Sequence, residues 1–102
     1  MNKAELIDNI SKFSRQTKTE VEKSLEAFIE IVSKSISSDE EVKLIGFGTF
    51  GVSERKARVG RNPQTGDEIQ IPARKVPVFR AGKELKNVVN KGFQEKKSQE
   101  DA

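Results

Sequence analysis

The chain has 102 residues, a net charge of +3, no cysteine and no histidine. This length favours one domain with a modest core, and the two absent residue types exclude disulfide frameworks, thiol nucleophiles and the usual neutral-pH acid–base catalyst. We therefore expect a protein that is not an enzyme and that holds no metal and no cofactor. No apolar run approaches the roughly 18 residues of a membrane span, and the N-terminus lacks a signal-peptide core, so we expect a cytoplasmic protein without a membrane partner.

Two amphipathic helices open the chain. The first is predicted over roughly residues 3–13, with Asn2 as its N-cap. The second begins with a capping box, in which Thr17 and Glu20 stand three residues apart, and continues to about residue 37. The apolar positions at helical spacing are Leu6, Ile7, Ile10 and Phe13 in the first helix and Val21, Leu25, Phe28, Val32 and Ile36 in the second.

The pattern then changes to strands. Residues 42–45 predict a short strand and 46–48 a tight bend, followed by long strands over about 49–59 and 68–79. The segment between the long strands, 60–67, contains a proline and a glycine at turn positions and predicts a hairpin tip. At roughly 3.3 Å per residue the ribbon is about 30 Å long, and its outer part has too few large apolar residues to cover a core. We therefore expect a solvent-exposed arm.

A third, short helix is predicted over about 82–90, with Gly92 at its end. The last residues are polar, mixed in charge and aperiodic, which is typical of a disordered tail. The expected organisation is one folded domain over 1–91, with its arm at about 52–78, and a disordered tail over 92–102.

The segment 46–51 matches the glycine pattern G-x-G-x-x-G. A dinucleotide site needs that pattern to open a helix, whereas the residues after it predict a strand and no further βα unit follows. We interpret these glycines as a bend that lets Phe47 and Phe50 pack into the core.

Positive charge is concentrated in one part of the chain. Residues 1–51 hold 7 basic and 9 acidic side chains, whereas 52–102 hold 12 and 7. Within 55–83 there are eight basic residues against two acidic ones. Such a run is often only a solvated face, but its position on a predicted arm favours binding to a polyanion.

Three arginines recur every three residues toward the predicted tip, at Arg55, Arg58 and Arg61. On a twisting ribbon they can reach both walls of a groove, and the arginine fork pairs with phosphates and enters narrow minor grooves. Pro63 at the tip has two interpretations: a turn former, or an apolar wedge between base steps. Lys83 and Lys86, like Lys3, become phosphate contacts if the helical body lies on the same DNA.

The core is thin for a monomer. Leu, Ile, Val and Phe total 27 residues, and several of them lie inside the basic segment. This favours burial against a second copy of the chain.

Taken together, these motifs resemble the HU and integration host factor family of bacterial histone-like DNA-binding proteins. The resemblance runs almost continuously from Met1 to Lys91. The residues that carry it are Met1-Asn2-Lys3 with Leu6-Ile7, Gly46 to Phe50, Arg55, Arg58, Gly60 to Gly66, Val76-Pro77 with Phe79, and Gly82-Lys83 with Leu85-Lys86.

The resemblance implies an α+β intertwined dimer with a helical body and a three-stranded antiparallel sheet extended into a β-ribbon arm. It implies that Pro63 intercalates and holds a bend. The DNA contacts it implies are Lys3, Arg55, Arg58, Arg61, Asn62, Gln64, Thr65, Arg74, Lys75, Lys83 and Lys86. The dimer core it implies comprises Phe28, Val32, Leu44, Phe47, Phe50, Phe79 and Leu85.

The implied function is to bend and compact double-stranded DNA through the minor groove with low sequence specificity, in the nucleoid. The alternative is a sequence-specific bender of the integration host factor type, which can be a heterodimer. The integration host factor branch is resembled more at Arg74-Lys75 and over 78–80. The HU branch is resembled more at Gln64-Thr65 and Val76-Pro77. A third class, an RNA-binding or protein-scaffolding ribbon dimer, predicts no preference for bent, nicked or gapped DNA over A-form duplex RNA.

Overall fold

The computed structural model of the protein describes the backbone of residues 1–101 and the side chains of residues 1–95. Three helices accompany five antiparallel strands, which confirms the predicted α+β class. The elements in chain order are α1 (Lys3–Ser14), α2 (Lys18–Ser37), β1 (Val42–Leu44), β2 (Gly48–Arg55), β3 (Arg58–Arg61), β4 (Glu68–Ile71), β5 (Arg74–Ala81) and α3 (Lys83–Asp101). None of the described helices is long and apolar enough to cross a membrane.

The first two helices begin where their capping residues predict. The Asn2 side chain accepts a hydrogen bond from the Glu5 backbone N–H at 2.8 Å, and the Thr17 hydroxyl accepts one from the Glu20 backbone N–H at 3.2 Å. Each cap satisfies one of the backbone donors that a helix start leaves free. These local bonds explain why both helix starts are readable from sequence.

The strands form two separate sheets rather than one continuous ribbon. Strands β1, β2 and β5 make a three-stranded antiparallel sheet in the order β1-β2-β5, and β3 pairs with β4. The prediction of uninterrupted strands over 49–59 and 68–79 is therefore wrong. Both strands are interrupted at the same level, by residues 56–57 on one side and 72–73 on the other. Pro72 lacks the N–H that a ladder bond requires.

Helix α3 is longer than the short helix predicted over 82–90. Its start is tied to the turn before β2, because the Gly82 N–H donates to the Phe47 carbonyl at 2.8 Å and the Leu85 N–H to the Gly46 carbonyl at 3.2 Å. It does not end at Gly92 but continues to Asp101. A glycine inside a helix costs only about 1 kcal/mol relative to alanine, and no proline follows it. Residues 92–101, predicted as part of a disordered tail, thus have a helical backbone; Ala102 lies outside the described residues.

A single chain closes only a small core. The buried apolar side chains among the described residues are Ile7, Val21 and Val32, and none of them is fully buried. The Cα radius of gyration is 19.9 Å, against about 13 Å for a compact domain of this length. The chain is therefore extended, with apolar surface left uncovered.

The predicted dimer core lies on that uncovered surface. The Phe50 ring packs between its neighbours, with centroid distances of 4.9 Å to Phe79 and 5.9 Å to Phe28, and Phe47 lies 5.4 Å from Phe79. The Phe47 ring is nevertheless 48% exposed. Within the single chain, the predicted set divides into buried Val32, half-buried Phe50 and Leu85, and exposed Phe28, Leu44, Phe47 and Phe79. The role of these residues in a dimer remains a prediction.

Candidate nucleic-acid interface

The tip of the arm is a turn held by its own polar groups. The Asn62 N–H donates to the Asp67 carbonyl at 2.9 Å, and the Gly66 N–H donates to the Asn62 carbonyl at 2.7 Å. The Asn62 side-chain oxygen accepts from the Gln64 N–H at 2.9 Å, which makes an Asx turn. Gly66 has a φ of +75°, a value that suits glycine. Pro63 is left exposed within this rigid turn.

Strand register brings two of the predicted DNA contacts face to face at the base of the arm. Arg55 on β2 lies directly opposite Arg74 on β5. Like charges in this relation destabilise a sheet. Neither arginine takes part in an ion pair within the described residues. This pair therefore has a positive charge that a bound anion would neutralise.

The interruption of the two strands forms a basic cleft of about 470 Å³. Its lining residues are Arg55, Lys56, Ala57, Arg58, Ile71, Pro72, Arg74 and Val76. Four of these eight side chains are cationic, and none is anionic. The cleft thus combines positive charge with apolar walls. It lies between the β1-β2-β5 sheet of the body and the β3-β4 pair, which we call the outer ladder.

Lys56 is a basic residue of this cleft that the sequence analysis did not select as a DNA contact. It lies in the interruption between β2 and β3, where the side-chain alternation of a regular strand does not apply. The signal available in the sequence was its place between Arg55 and Arg58. For the same reason, strand alternation does not determine whether Arg55 and Arg61 lie on the same face of the arm, since no continuous strand joins them.

The outer ladder positions the remaining arginines. Arg58 pairs in register with Ile71, and Arg61 pairs with Glu68, the one acidic residue opposite a predicted contact on this ladder. Of the twelve predicted DNA-contacting residues, Asn62 is half-buried and the others are exposed: Lys3, Arg55, Arg58, Arg61, Pro63, Gln64, Thr65, Arg74, Lys75, Lys83 and Lys86.

Two predicted contacts are engaged within the chain. The Lys75 ammonium donates to both carboxylate oxygens of Asp39, at 2.9 and 2.7 Å, and this hydrogen bonding with its charge raises the pKa of Lys75 above its ordinary 10.5. The Lys3 ammonium lies 3.4 Å from a Glu26 carboxylate oxygen. Both pairs are exposed, so each contributes little to stability and is exchangeable for a phosphate.

The body lysines lie apart from the arm along the chain. Lys83 is the first residue of α3, and Lys86 follows one turn later. Among the predicted contacts, the cross-strand register places Arg55 opposite Arg74, and the cleft brings both together with Arg58.

Comparison with known proteins supplies the context for this arm. The family model described as bacterial DNA-binding protein matches residues 1–90. The chain is 54% identical to DNA-binding protein HU of Clostridium pasteurianum, over 89% of this chain and all of that protein, and 53% identical to DNA-binding protein HU-beta of Escherichia coli K12, over 88% and all of it. It resembles the HU of an Anabaena HU–DNA cocrystal structure with a TM-score of 0.82 and 44% identity, over 87% of this chain and 97% of that one.

The family match covers α1, α2, all five strands and the first part of α3. Each relative is matched over nearly its whole length. HU from Thermotoga maritima is similar at a TM-score of 0.64 and 30% identity, over 87% of this chain and 98% of the other. The chain belongs to the bacterial DNA-binding protein family.

Proposed function

We propose that this protein is a non-enzymatic architectural protein that binds, bends and compacts double-stranded DNA with little sequence specificity. The observation that carries the proposal is the exposed arm, in which Arg55 lies opposite Arg74, neither with an ion-pair partner among the described residues, and Pro63 is exposed at the tip. Its likeness to the chain of an HU–DNA cocrystal structure supports DNA as the polyanion. The DNA-binding unit spans 1–91, with the arm at about 52–78.

The active form is a dimer. A single chain buries three apolar side chains and leaves Phe47 and Phe79 half exposed beside a cluster of aromatic rings. A second copy that covers this surface completes the core, and it supplies a second arm. The partner is another copy of this chain, or a related chain where one exists.

The arms act on the minor groove. Arginine forks at Arg55, Arg58 and Arg61 pair with phosphates along the groove walls, and each neutralised phosphate releases counter-ions. Pro63 enters between base steps as an apolar wedge and kinks the duplex by roughly 20 to 90°. Lys3, Lys83 and Lys86 hold the flanking DNA against the body through its phosphates. The DNA and the protein together would then occupy the nucleoid in the cytoplasm.

Low sequence specificity is favoured over the integration host factor alternative. The full-length relatives described above are HU proteins, and phosphate contacts carry no sequence information directly. The sequence-specific alternative predicts a specificity ratio of 10³ or more between selected and random duplexes.

The test is a gel-shift titration of linear, nicked and four-way-junction DNA, together with A-form duplex RNA, across a range of salt concentrations. We expect log K to fall by several units per decade of salt, because about six to ten phosphates contribute about 0.9 each. We also expect tighter binding to nicked and junction DNA. A slope near zero, or equal affinity for duplex RNA, would overturn the proposal.

A further inference from the structure

Helix α3 carries an apolar stripe that continues past the end of the family match. The match ends at residue 90, whereas α3 runs from Lys83 to Asp101. At 1.5 Å per residue, the matched part is about 12 Å long and the whole helix about 28 Å. The positions of the stripe follow the spacing 3, 1, 3, 1, which keeps them on one side of a helix: Leu85, Val88, Val89, Gly92 and Phe93.

The stripe is uncovered in the single chain. Val88 is 67% exposed, Val89 62% and Phe93 64%. Helix α3 shares no extensive contact with any other element of the described chain and is held mainly at its first turn. Since an isolated helix of this length is marginal in water, α3 needs a packing partner along this stripe.

Gly92 leaves a gap in the stripe, because it has no side chain. A Cβ atom at this position would meet nothing within 4 Å in the chain. A glycine inside a helix is destabilising unless something else approaches its backbone closely. Gly92 lies beside Phe93 within the stripe, so the two residues form a notch and a projecting ring one position apart.

We infer that the segment of α3 beyond residue 90, centred on Phe93, packs on a second copy of this chain and extends the dimer interface. The inference rests on the dimer of the proposed function. The stripe begins at Leu85, a predicted dimer-core residue, so the extension is continuous with that interface. A chain that buries so few apolar side chains by itself gains most from additional area against its partner.

The experiment compares the dimer dissociation constants of the full chain and three variants by sedimentation velocity over a dilution series. Phe93→Ala removes the projecting ring, and Phe93→Leu keeps an apolar side chain there. Gln94→Ala is the matched control, because Gln94 lies in the same turn on the opposite side of the helix. Circular dichroism at high protein concentration checks that every variant retains the native helix content.

We expect Phe93→Ala to raise the dimer dissociation constant roughly tenfold or more, since each dimer loses two buried rings. Phe93→Leu restores most of the affinity between subunits, and Gln94→Ala matches the unaltered chain. An unchanged dissociation constant for Phe93→Ala would overturn the inference. So would a loss of DNA affinity by Phe93→Ala at concentrations where every variant is dimeric, because the extension would then contact DNA.

The unaltered chain separates this inference from the proposed function. If it sediments as a monomer at every concentration, the dimer of the proposed function is wrong and this inference with it. If it is a dimer and Phe93→Ala has the same dimer dissociation constant as the unaltered chain, the inference alone is wrong.

Discussion

Pro63 owes its position to the residues around it. The Asx turn of Asn62 and the positive φ of Gly66 form the turn at the tip, and the Pro63 ring is exposed to solvent on this turn. The sequence identified the turn because proline, asparagine and glycine each act locally. It left the wedge and the turn-former interpretations open, because both need the same residue at the same place.

Replacing Pro63 with alanine separates these interpretations. We expect the Pro63→Ala variant to bend DNA less while its affinity changes little, because most of the affinity comes from phosphate contacts. Fluorescence energy transfer between the ends of a short duplex measures the bend angle. Gln70→Ala, on β4 of the same arm and outside the predicted DNA contacts, is the matched control for a changed arm. An unaltered bend angle with Pro63→Ala refutes the wedge role.

Gly48 is required by close approach rather than by its φ. A Cβ atom there would lie 2.5 Å from the Phe79 ring and 2.7 Å from the Arg80 carbonyl oxygen. We expect Gly48→Ala to lower the free energy of unfolding by about 1 to 3 kcal/mol through overpacking. Gly51→Ala in the same strand is the control, because its Cβ would meet the flexible Glu41 side chain at 3.2 Å. Thermal unfolding of both variants measures the difference, and equal melting temperatures would contradict the expectation.

Asp8 of α1 pairs with Lys12 in the same helix and with Lys18 at the start of α2. Its carboxylate lies 3.0 Å from the Lys12 ammonium and 3.2 Å from that of Lys18, and these hydrogen bonds lower the pKa of Asp8 below its ordinary 3.8. A lowered folded-state pKa stabilises the fold above pH 3.8, and this stabilisation is lost as the pH falls through the folded-state value.

We therefore expect Asp8→Asn to be less stable than the unaltered chain at pH 7 and to lose that difference in acid. Thermal unfolding at pH 7 and near pH 3 measures it. A difference that persists unchanged at the lower pH would show that the charge of Asp8 is not its cause.

At the scale of elements, the accuracy of sequence-based prediction depends on how local each signal is. The starts of α1 and α2 depend on capping residues within three positions, and both were predicted. The interruption of the arm was not predicted. Pro72 marks the break on one strand only, and the position of the break on the other strand depends on the cross-strand register. The length of α3 was underestimated because Gly92 was interpreted as the end of the helix, although a glycine inside a helix costs only about 1 kcal/mol relative to alanine.

The candidate site likewise has some features that depend on local sequence and others that depend on contacts between distant residues. Arg55, Arg58 and Arg61 were selected from the charge pattern, and Arg74 from the family resemblance. That Arg55 lies opposite Arg74 depends on the cross-strand register. The pairing of Lys75 with Asp39 joins residues 36 positions apart, which no local pattern indicates. Lys56 was missed because only the broken strand brings it into the cleft.

The arm predicts a specific salt dependence. If Arg55 and Arg74 each contact one phosphate in each half of a dimer, Arg55→Ala reduces the slope of log K against log salt by about 2 per dimer. Arg74→Ala gives a similar reduction. Lys34→Ala is the matched control, since Lys34 lies on α2 and pairs with Glu30 at 3.0 Å. If an arm variant keeps the full slope of log K against log salt, the substituted arginine does not contact a phosphate.

At the scale of the whole molecule, folding and association are coupled. The radius of gyration of 19.9 Å and the small core describe half of a structure rather than a finished domain. The sequence indicated this through its thin apolar content, although it did not show that the aromatic cluster would be open on one side.

We therefore expect the melting temperature to rise with protein concentration, as mass action requires when two chains fold together. Calorimetry over a hundredfold range of concentration measures the rise. Chemical crosslinking at the same concentrations is the control for the oligomeric state. A melting temperature that is independent of concentration would contradict coupled folding and association.

The paired interruption of the arm has a mechanical consequence. Because residues 56–57 and 72–73 oppose each other outside both ladders, no cross-strand ladder pairing spans this level. We therefore expect a force applied at the tip to be absorbed by rotation about these few backbone bonds rather than by the β1-β2-β5 sheet. On the proposed function, the tip would then keep its contact with DNA while the curvature of the duplex fluctuates.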